Sequence, residues 1–409
     1  MFDSKGRFIV VVLDGFGIGE MPDVKSERPQ DIGANTAYKL LDYYCDQSLP
    51  TLEMLGLNNI VQCKTSAISI SELANVGTLE LKHLGCDTFA GHQEIMGTKP
   101  TKPLVKPFCQ SVDKIESALK QAGYKTERVF REQQYILWIE EAVAIGDNLE
   151  AELGQVYNIS ANFNQIDYST LQDIGKIVRE NNDVARNIVF GGLLDSSQKL
   201  LDAIEVHGNC IGVNAPKSGV YDSGFQVEHL GYGVDSSTQV PEQLNKLGIK
   251  TTLIGKVADI VANPHGVSHK KLVNTDEIFA ITCHDISQQS EGFFCINVQE
   301  TDLSGHKENH QEYWDVLEAA DRGLQKIIQL LNPEDVLLVT ADHGNDPFIG
   351  HGKHTREKVP VLVYTSKSKG VDLGNGKTLA NIGATVCDFF SANPPQYGQS
   401  FLPLINKKK

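Results

Sequence analysis

Ala341-Asp342-His343-Gly344-Asn345-Asp346-Pro347 follows directly on an apolar run, Val336 to Thr340, with His351 and His354 close behind. Imidazole nitrogen and carboxylate oxygen are the donors that hold Zn, Mn or Fe. The end of a buried strand fixes such donors rigidly. The other use of these residue types is a polar turn that caps the next helix. Three His and two Asp in so short a stretch favour the metal reading.

Two further strand ends carry the same chemistry. Asp14 closes the run Phe8 to Leu13 and is followed by Gly15-Phe16-Gly17. There it either points into the ligand crevice of an α/β sheet or caps a helix. Asp302 and His306 lie just past the run Phe293 to Val298. They could share a metal, or Asp302 could start a helix. Asp14, Asp302, His306, Asp342, His343 and His354 together supply six ligands, enough for two metals. The stretch Asp87-Thr88-Phe89-Ala90-Gly91-His92-Gln93-Glu94 adds a hydroxyl. Held by a metal, the Thr88 hydroxyl would lose its proton near neutral pH and become a nucleophile; the bland alternative is a helix cap.

The elements that must position these groups are legible as runs. Phe8 to Leu13 is continuously apolar and β-branched, as a strand buried on both faces must be, and similar runs recur at Thr251–Ile254, Phe293–Val298, Val336–Val339 and Val359–Tyr364. Between the later runs lies a helical stripe, Tyr313 to Leu331, with Val316, Leu317, Ala320, Leu324, Ile327, Ile328 and Leu331 on one face. Alternating strand and helix predicts an α/β core whose sheet is covered by helices. From about Pro107 to Gly233 the pieces are shorter: strands near Gly154–Ile159 and Asn209–Val213, helices near Val112–Ala122 and Leu171–Asn181. This predicts an inserted α+β cap over 107–233 in a discontinuous core, 1–106 and 234–409, with the sheet resuming near Val240.

The chain has 409 residues, 41% hydrophobic and 22% charged, as expected for a soluble protein of two domains or more. A net charge of -15 speaks against nucleic acid or an anionic membrane as partner, though not against a small anion in a metal-bearing pocket. Eight scattered Cys without a Cys-x-x-Cys pair read as reduced thiols of a cytoplasmic protein. The stretch Met1 to Arg7 is polar and resembles no secretory signal, and no apolar stretch reaches bilayer length. The tail Lys407-Lys408-Lys409 reads as a solvated end.

Taken together, several stretches resemble the phosphopentomutases of the alkaline phosphatase superfamily. They are Val12-Leu13-Asp14-Gly15-Phe16-Gly17, Asp87-Thr88-x-x-Gly91-His92-x-Glu94, Gly255-Lys256-Val257-Ala258-Asp259-Ile260, Thr340 to Pro347, and His354-Thr355-Arg356-Glu357 with Val359 to Tyr364. The resemblance implies an alkaline-phosphatase-like core with an inserted cap. It implies that Asp14, Asp342 and His343 hold one ion, usually Mn²⁺ with Zn²⁺ as the alternative, and that Asp302, His306 and His354 hold the second. Thr88 would be the phosphorylated nucleophile, with Lys256 beside the substrate or the phosphoryl group. A sugar bisphosphate would act as intermediate and activator.

Three departures bear on the substrate. Three residues separate Asp302 from His306, one fewer than the family pattern. The chain from Asn187 to Asp321 has no Arg, where the family carries several that grip the sugar phosphate. The matching region reads Gly219 to Gln226, with Lys217 nearby, and the family's Ser-Ala-Asp-Ser is replaced by Ser160-Ala161-Asn162-Phe163. Asn162, Lys217 and Arg186 are therefore the candidate substrate contacts. The expected function is a metal-dependent phosphomutase acting on a pentose phosphate or a related sugar phosphate. The alternative is a phosphatase or phosphodiesterase on the same core.

Overall fold

The computed structural model describes residues 6–150 and 153–406; the Lys407–Lys409 tail and the residues before Gly6 lie outside the described residues. The strands, in chain order, are β1 (Arg7–Leu13), β2 (Asn75–Leu79), β3 (Thr126–Arg131), β4 (Gln134–Ile139), β5 (Val143–Asp147), β6 (Val156–Asn162), β7 (Arg186–Gly192), β8 (Ile204–His207), β9 (Cys210–Val213), β10 (Gln226–Gly231), β11 (Thr251–Ile254), β12 (Val267–His269), β13 (Gly292–Val298), β14 (Val336–Thr340), β15 (Val359–Thr365) and β16 (Asp372–Gly376). The chain divides into two compact units, Met1–Pro100 with Asp235–Lys409, and Thr101–Val234.

The first unit is built on an eight-stranded sheet in the order β12-β11-β13-β1-β14-β15-β2-β16. All seven residues of β1 are buried, which explains why its sequence does not alternate. β1 runs parallel to β13 and β14, and β11 runs parallel to β13. β15 runs antiparallel to β14. The helix His310–Gln329 buries Tyr313, Leu317, Ala320, Leu324 and Ile327, one stripe at helical spacing. Asn309 caps it by accepting from the Glu312 N–H at 3.1 Å.

Two expectations change here. Around Val240 stands a helix, Val240–Asn245, and the sheet resumes only at Thr251. Pro241 in its first turn and the burial of Val240 with Leu244 favour a helical start over a strand. Arg7, read as the end of a polar stretch before the strand, is 3% exposed and opens β1. It is paired with Asp335 and donates to the carbonyls of Ile286 (2.5 Å) and Leu330 (2.7 Å).

The second unit has a six-stranded sheet, β10-β7-β6-β5-β4-β3, and a two-stranded one, β8-β9. Among its described residues only β6 and β7 pair in parallel. The helix Tyr168–Glu180 connects them, capped by Asp167 and burying Leu171, Ile174 and Val178. Mixed pairing with one crossover is the α+β character anticipated for this stretch. Among the described residues no helix is long and apolar enough to cross a membrane.

Candidate active site

Strand register brings the candidate ligands together. Leu13 lies opposite Val298, and Val12 opposite Thr340. With neighbouring strands about 4.8 Å apart, Asp14, the segment after β13 and the segment after β14 leave the sheet side by side. Ile254 lies opposite Ile296, so Lys256 emerges at the same edge. His354 reaches that edge differently: β15 is antiparallel, and His354 precedes it. Asp302 and His306 sit on the helix Glu300–His306, four residues apart and hence on one face. The helix start that competed with the ligand reading is real, and it is what presents the pair.

Thr88 is the first residue of the helix Thr88–Ile95. Asp87 takes the capping role, accepting from the Ala90 N–H at 3.0 Å, so the Thr88 hydroxyl is released to the site. Its Oγ lies 2.7 Å from Asp342 Oδ2, 3.2 Å from Asp14 Oδ1, 2.6 Å from His343 Nε2 and 3.3 Å from Lys256 Nζ. Gly91 lets this helix approach closely: a Cβ there would lie 2.9 Å from the Asp342 carbonyl oxygen.

The three imidazoles share one arrangement. Nδ1 of His343, His306 and His354 bonds the carbonyl of Gly344 (2.9 Å), Gly352 (2.8 Å) and Cys86 (2.9 Å) respectively. A carbonyl only accepts, so each Nδ1 carries the proton and each Nε2 turns into the site. His306 and His354 bring their Nε2 atoms to 3.1 Å from each other, and to 3.3 and 3.2 Å from Asp302. Two such lone pairs face each other only with a cation or a proton between them. The ligand atoms of Asp14, Asp342 and His343 lie within 4.8 Å of one another, and so do those of Asp302, His343 and His354. This donor set fits two divalent ions, with His343 reaching both groups.

The electrostatics point the same way. Burial alone would raise the Asp342 carboxyl, but His343, His92 and Lys256 outweigh it and hold it well below the usual range. Burial likewise raises Asp302, against which His306, His354 and Lys256 keep it low. His343 is opposed by burial yet pushed up to about 10 by Asp342 and Asp14. Lys256 is bonded to Asp14 (3.1 Å) and Asp302 (3.2 Å); burial works against its charge, and these carboxylates with Asp342 raise it regardless. Three buried carboxylates thus gather every cation within reach.

The candidate substrate contacts are placed differently. The Asn162 side chain is buried within the second unit, accepting from Asn164 N (3.0 Å) and Leu194 N (3.1 Å) and donating to Ser197 Oγ (3.1 Å). Asn162 lies opposite Gly192, whereas Arg186 lies opposite Val156 at the other end of the same strand pair. Six residues of strand, about 20 Å, separate them, so one sugar phosphate does not reach both. Lys217 is exposed and paired with Glu205 at 3.1 Å.

Other contributors carried no assignment from sequence. Asn345 Nδ2 donates to Asp302 Oδ1 at 2.9 Å, and the Tyr313 hydroxyl to the Gly15 carbonyl at 3.0 Å. His92 and Asn297 are fully buried against Thr88, Asp342 and Asp14. His92 stood inside the Asp87–Glu94 stretch, four residues from Thr88, and that helical spacing was the available signal.

An α/β sheet with two His/Asp groups at its carboxyl edge defines a metalloenzyme core, and the chain belongs to the metalloenzyme superfamily, whose family model matches residues 6–394. Over 97% of its length, and 97% of the relative's, the chain is 29% identical to the phosphopentomutase of Caldanaerobacter subterraneus subsp. tengcongensis. It is 27% identical to that of Symbiobacterium thermophilum, over 98% and 99% of the two chains. Among solved structures, a protein of Pyrococcus horikoshii matches 95% of this chain and 97% of its own, with 13% identity and a TM-score of 0.47.

Proposed function

We propose that this protein is a metal-dependent phosphomutase that moves a phosphoryl group between two hydroxyls of a sugar phosphate, a pentose 1- or 5-phosphate or a related compound, through phospho-Thr88. One observation carries the reading: the Thr88 hydroxyl sits between Asp342, Asp14, His343 and Lys256, within 3.3 Å of each. Near-full-length similarity to two phosphopentomutases supports it. Asp14, Asp342 and His343 would hold one ion and Asp302, His306 and His354 the other, both Mn²⁺ by preference, with Zn²⁺ chemically acceptable. Bound there, such ions supply positive charge for the Thr88 alkoxide and for the oxygens of a transferring phosphoryl group.

The chain's own residues define the remaining steps. Phospho-Thr88 gives its phosphoryl group to the free hydroxyl of the sugar monophosphate; the Oγ–P bond breaks as the sugar O–P bond forms, and the hydroxyl proton ends on Thr88 Oγ. The bisphosphate reorients, and Thr88 Oγ takes the other phosphoryl group back. A sugar bisphosphate therefore primes the enzyme. Lys256 Nζ stands 3.3 Å from the Thr88 Oγ as a fixed cation beside the oxygen that gives and takes the phosphoryl group. We place this work in the cytoplasm, consistent with eight free thiols.

The test is an assay of Mn²⁺-loaded protein against sugar phosphates, reading isomer ratio and free phosphate together. Isomerisation without stoichiometric phosphate release is the expected result. Phosphate release without isomerisation would make the protein a phosphatase on the same core.

A further inference from the structure

A closed circuit of hydrogen bonds leaves Thr88 through its backbone and returns through its hydroxyl. His92 Nδ1 donates to the Thr88 carbonyl at 3.0 Å. In the neutral ring His92 Nε2 is then the acceptor, and Asn297 Nδ2 donates to it at 3.1 Å. The second hydrogen of the same amide goes to Asp14 Oδ2 at 3.1 Å. Asp14 Oδ1 then faces the Thr88 hydroxyl at 3.2 Å. His92, Asn297 and Asp14 are all 0% exposed.

The Asp14 carboxylate sets the orientation of the Asn297 amide. Turning the Asn297 amide over would set its oxygen against both the Asp14 carboxylate and the His92 lone pair. Asn297 Oδ1 is buried without a hydrogen-bond partner, an arrangement that typically costs about 1–3 kcal/mol. His92 Nδ1 also lies 3.3 Å from Asp342 Oδ2, whose other oxygen accepts from the Gly15 N–H at 3.3 Å. Each carboxylate therefore has one oxygen held by a buried N–H donor and the other turned to Thr88.

We propose that His92 and Asn297 are positioning residues: through this circuit they hold the Asp14 carboxylate, and through the His92 Nδ1 contact the Asp342 carboxylate, in the orientation that receives a divalent ion beside Thr88. The inference rests on the functional reading above and deepens it. Partners that orient metal-binding carboxylates typically change affinity 10–100-fold when removed. Asn297→Leu keeps the volume and removes the donors; His92→Phe keeps the ring and removes both bonds.

The experiment is Mn²⁺ titration of chelator-stripped protein, with free Mn²⁺ read by electron paramagnetic resonance, alongside thermal unfolding of the same samples. Wild type should bind two ions. Both variants should bind at least one of them 10–100-fold more weakly, while Asn297→Leu unfolds within a few degrees of wild type. Variant affinities within threefold of a binding wild type overturn the inference and leave the functional reading standing. Wild type that binds no Mn²⁺ overturns both. Should neither variant fold, ¹⁵N-histidine NMR of the wild type decides: His92 must be protonated at Nδ1 with Nε2 bare, and an Nε2–H form overturns the circuit.

Discussion

Thr88 begins a helix, and the residue before it carries the cap; that single-position difference leaves the Thr88 hydroxyl facing the candidate ligands instead of capping the helix. The sequence allowed both uses, because cap and first helical residue differ by less than pattern reading resolves. Ligand types were legible, since Asp and His at strand ends are visible in the chain. The tethers on Nδ1 were not, because their acceptors are the backbone carbonyls of Gly344, Gly352 and Cys86, and carbonyls leave no mark on sequence. Arg7 was misread for a related reason: its partner Asp335 is 328 residues away. Arg7→Ala strands that buried carboxylate and should destabilise the protein by about 3–5 kcal/mol, measured by denaturant unfolding. A loss under about 1 kcal/mol would show that the pair is dispensable. Asp147 offers a pH test. Burial raises its carboxyl to about 6, against backbone N–H bonds from Ile211 and Phe108 that favour its charge. The folded state therefore holds this proton more tightly than the unfolded state, whose carboxyl loses it near pH 4. Stability of the second unit should fall as pH rises from about 4 to about 6, by at most ~3 kcal/mol. Direct NMR titration of the Asp147 carboxyl checks it; a midpoint near 4 contradicts it.

At the scale of elements, the site depends on register and close approach. Pairing Leu13 with Val298 and Val12 with Thr340 sets the ligand-bearing ends at one level, and a slip of one residue would turn every side chain to the opposite face. The apolar runs revealed these strands, but not the antiparallel entry of β15 that delivers His354. Run composition does not encode strand direction. The short helix Val240–Asn245 was hidden in the same way, within an expected return to sheet. Gly91 is where the helix Thr88–Ile95 meets the segment after β14. Gly91→Ala would set a methyl group 2.9 Å from the Asp342 carbonyl oxygen and 3.0 Å from its Cβ. Backbone cannot yield there without moving Thr88. The variant should stay folded by circular dichroism and lose at least ~100-fold in kcat, since displacements near 1 Å cost about that much in positioned catalysis. Unchanged kcat would show that the close approach is incidental.

Over the whole molecule, the family match spans residues 6–394, yet the two units of the chain differ in how much their sequences reveal. The metal-bearing unit carries its chemistry in residue types. In the second unit, the absence of Arg from Asn187 onward is plain in the chain, but what that unit would bind is not visible in composition. Asn162 is committed to its own loop, Lys217 to Glu205, and Arg186 stands at the far end of β7 from Asn162. Charged hydrogen bonds contribute about 1.5–3 kcal/mol each, so losing two weakens binding by ~10²-fold or more. Ribose 5-phosphate should accordingly be turned over with a kcat/KM below ~10⁴ M⁻¹s⁻¹; a higher value from steady-state kinetics would show that the altered unit grips it as well. Phosphotransfer through Thr88 is the central claim, and intact-mass spectrometry tests it most directly. Mn²⁺-loaded protein incubated with a sugar bisphosphate should gain one phosphoryl group, mapped by peptide fragmentation to Thr88, and Thr88→Ala should gain none. Equal phosphorylation of Thr88→Ala, or a phosphoryl group mapped to another residue, would contradict the account.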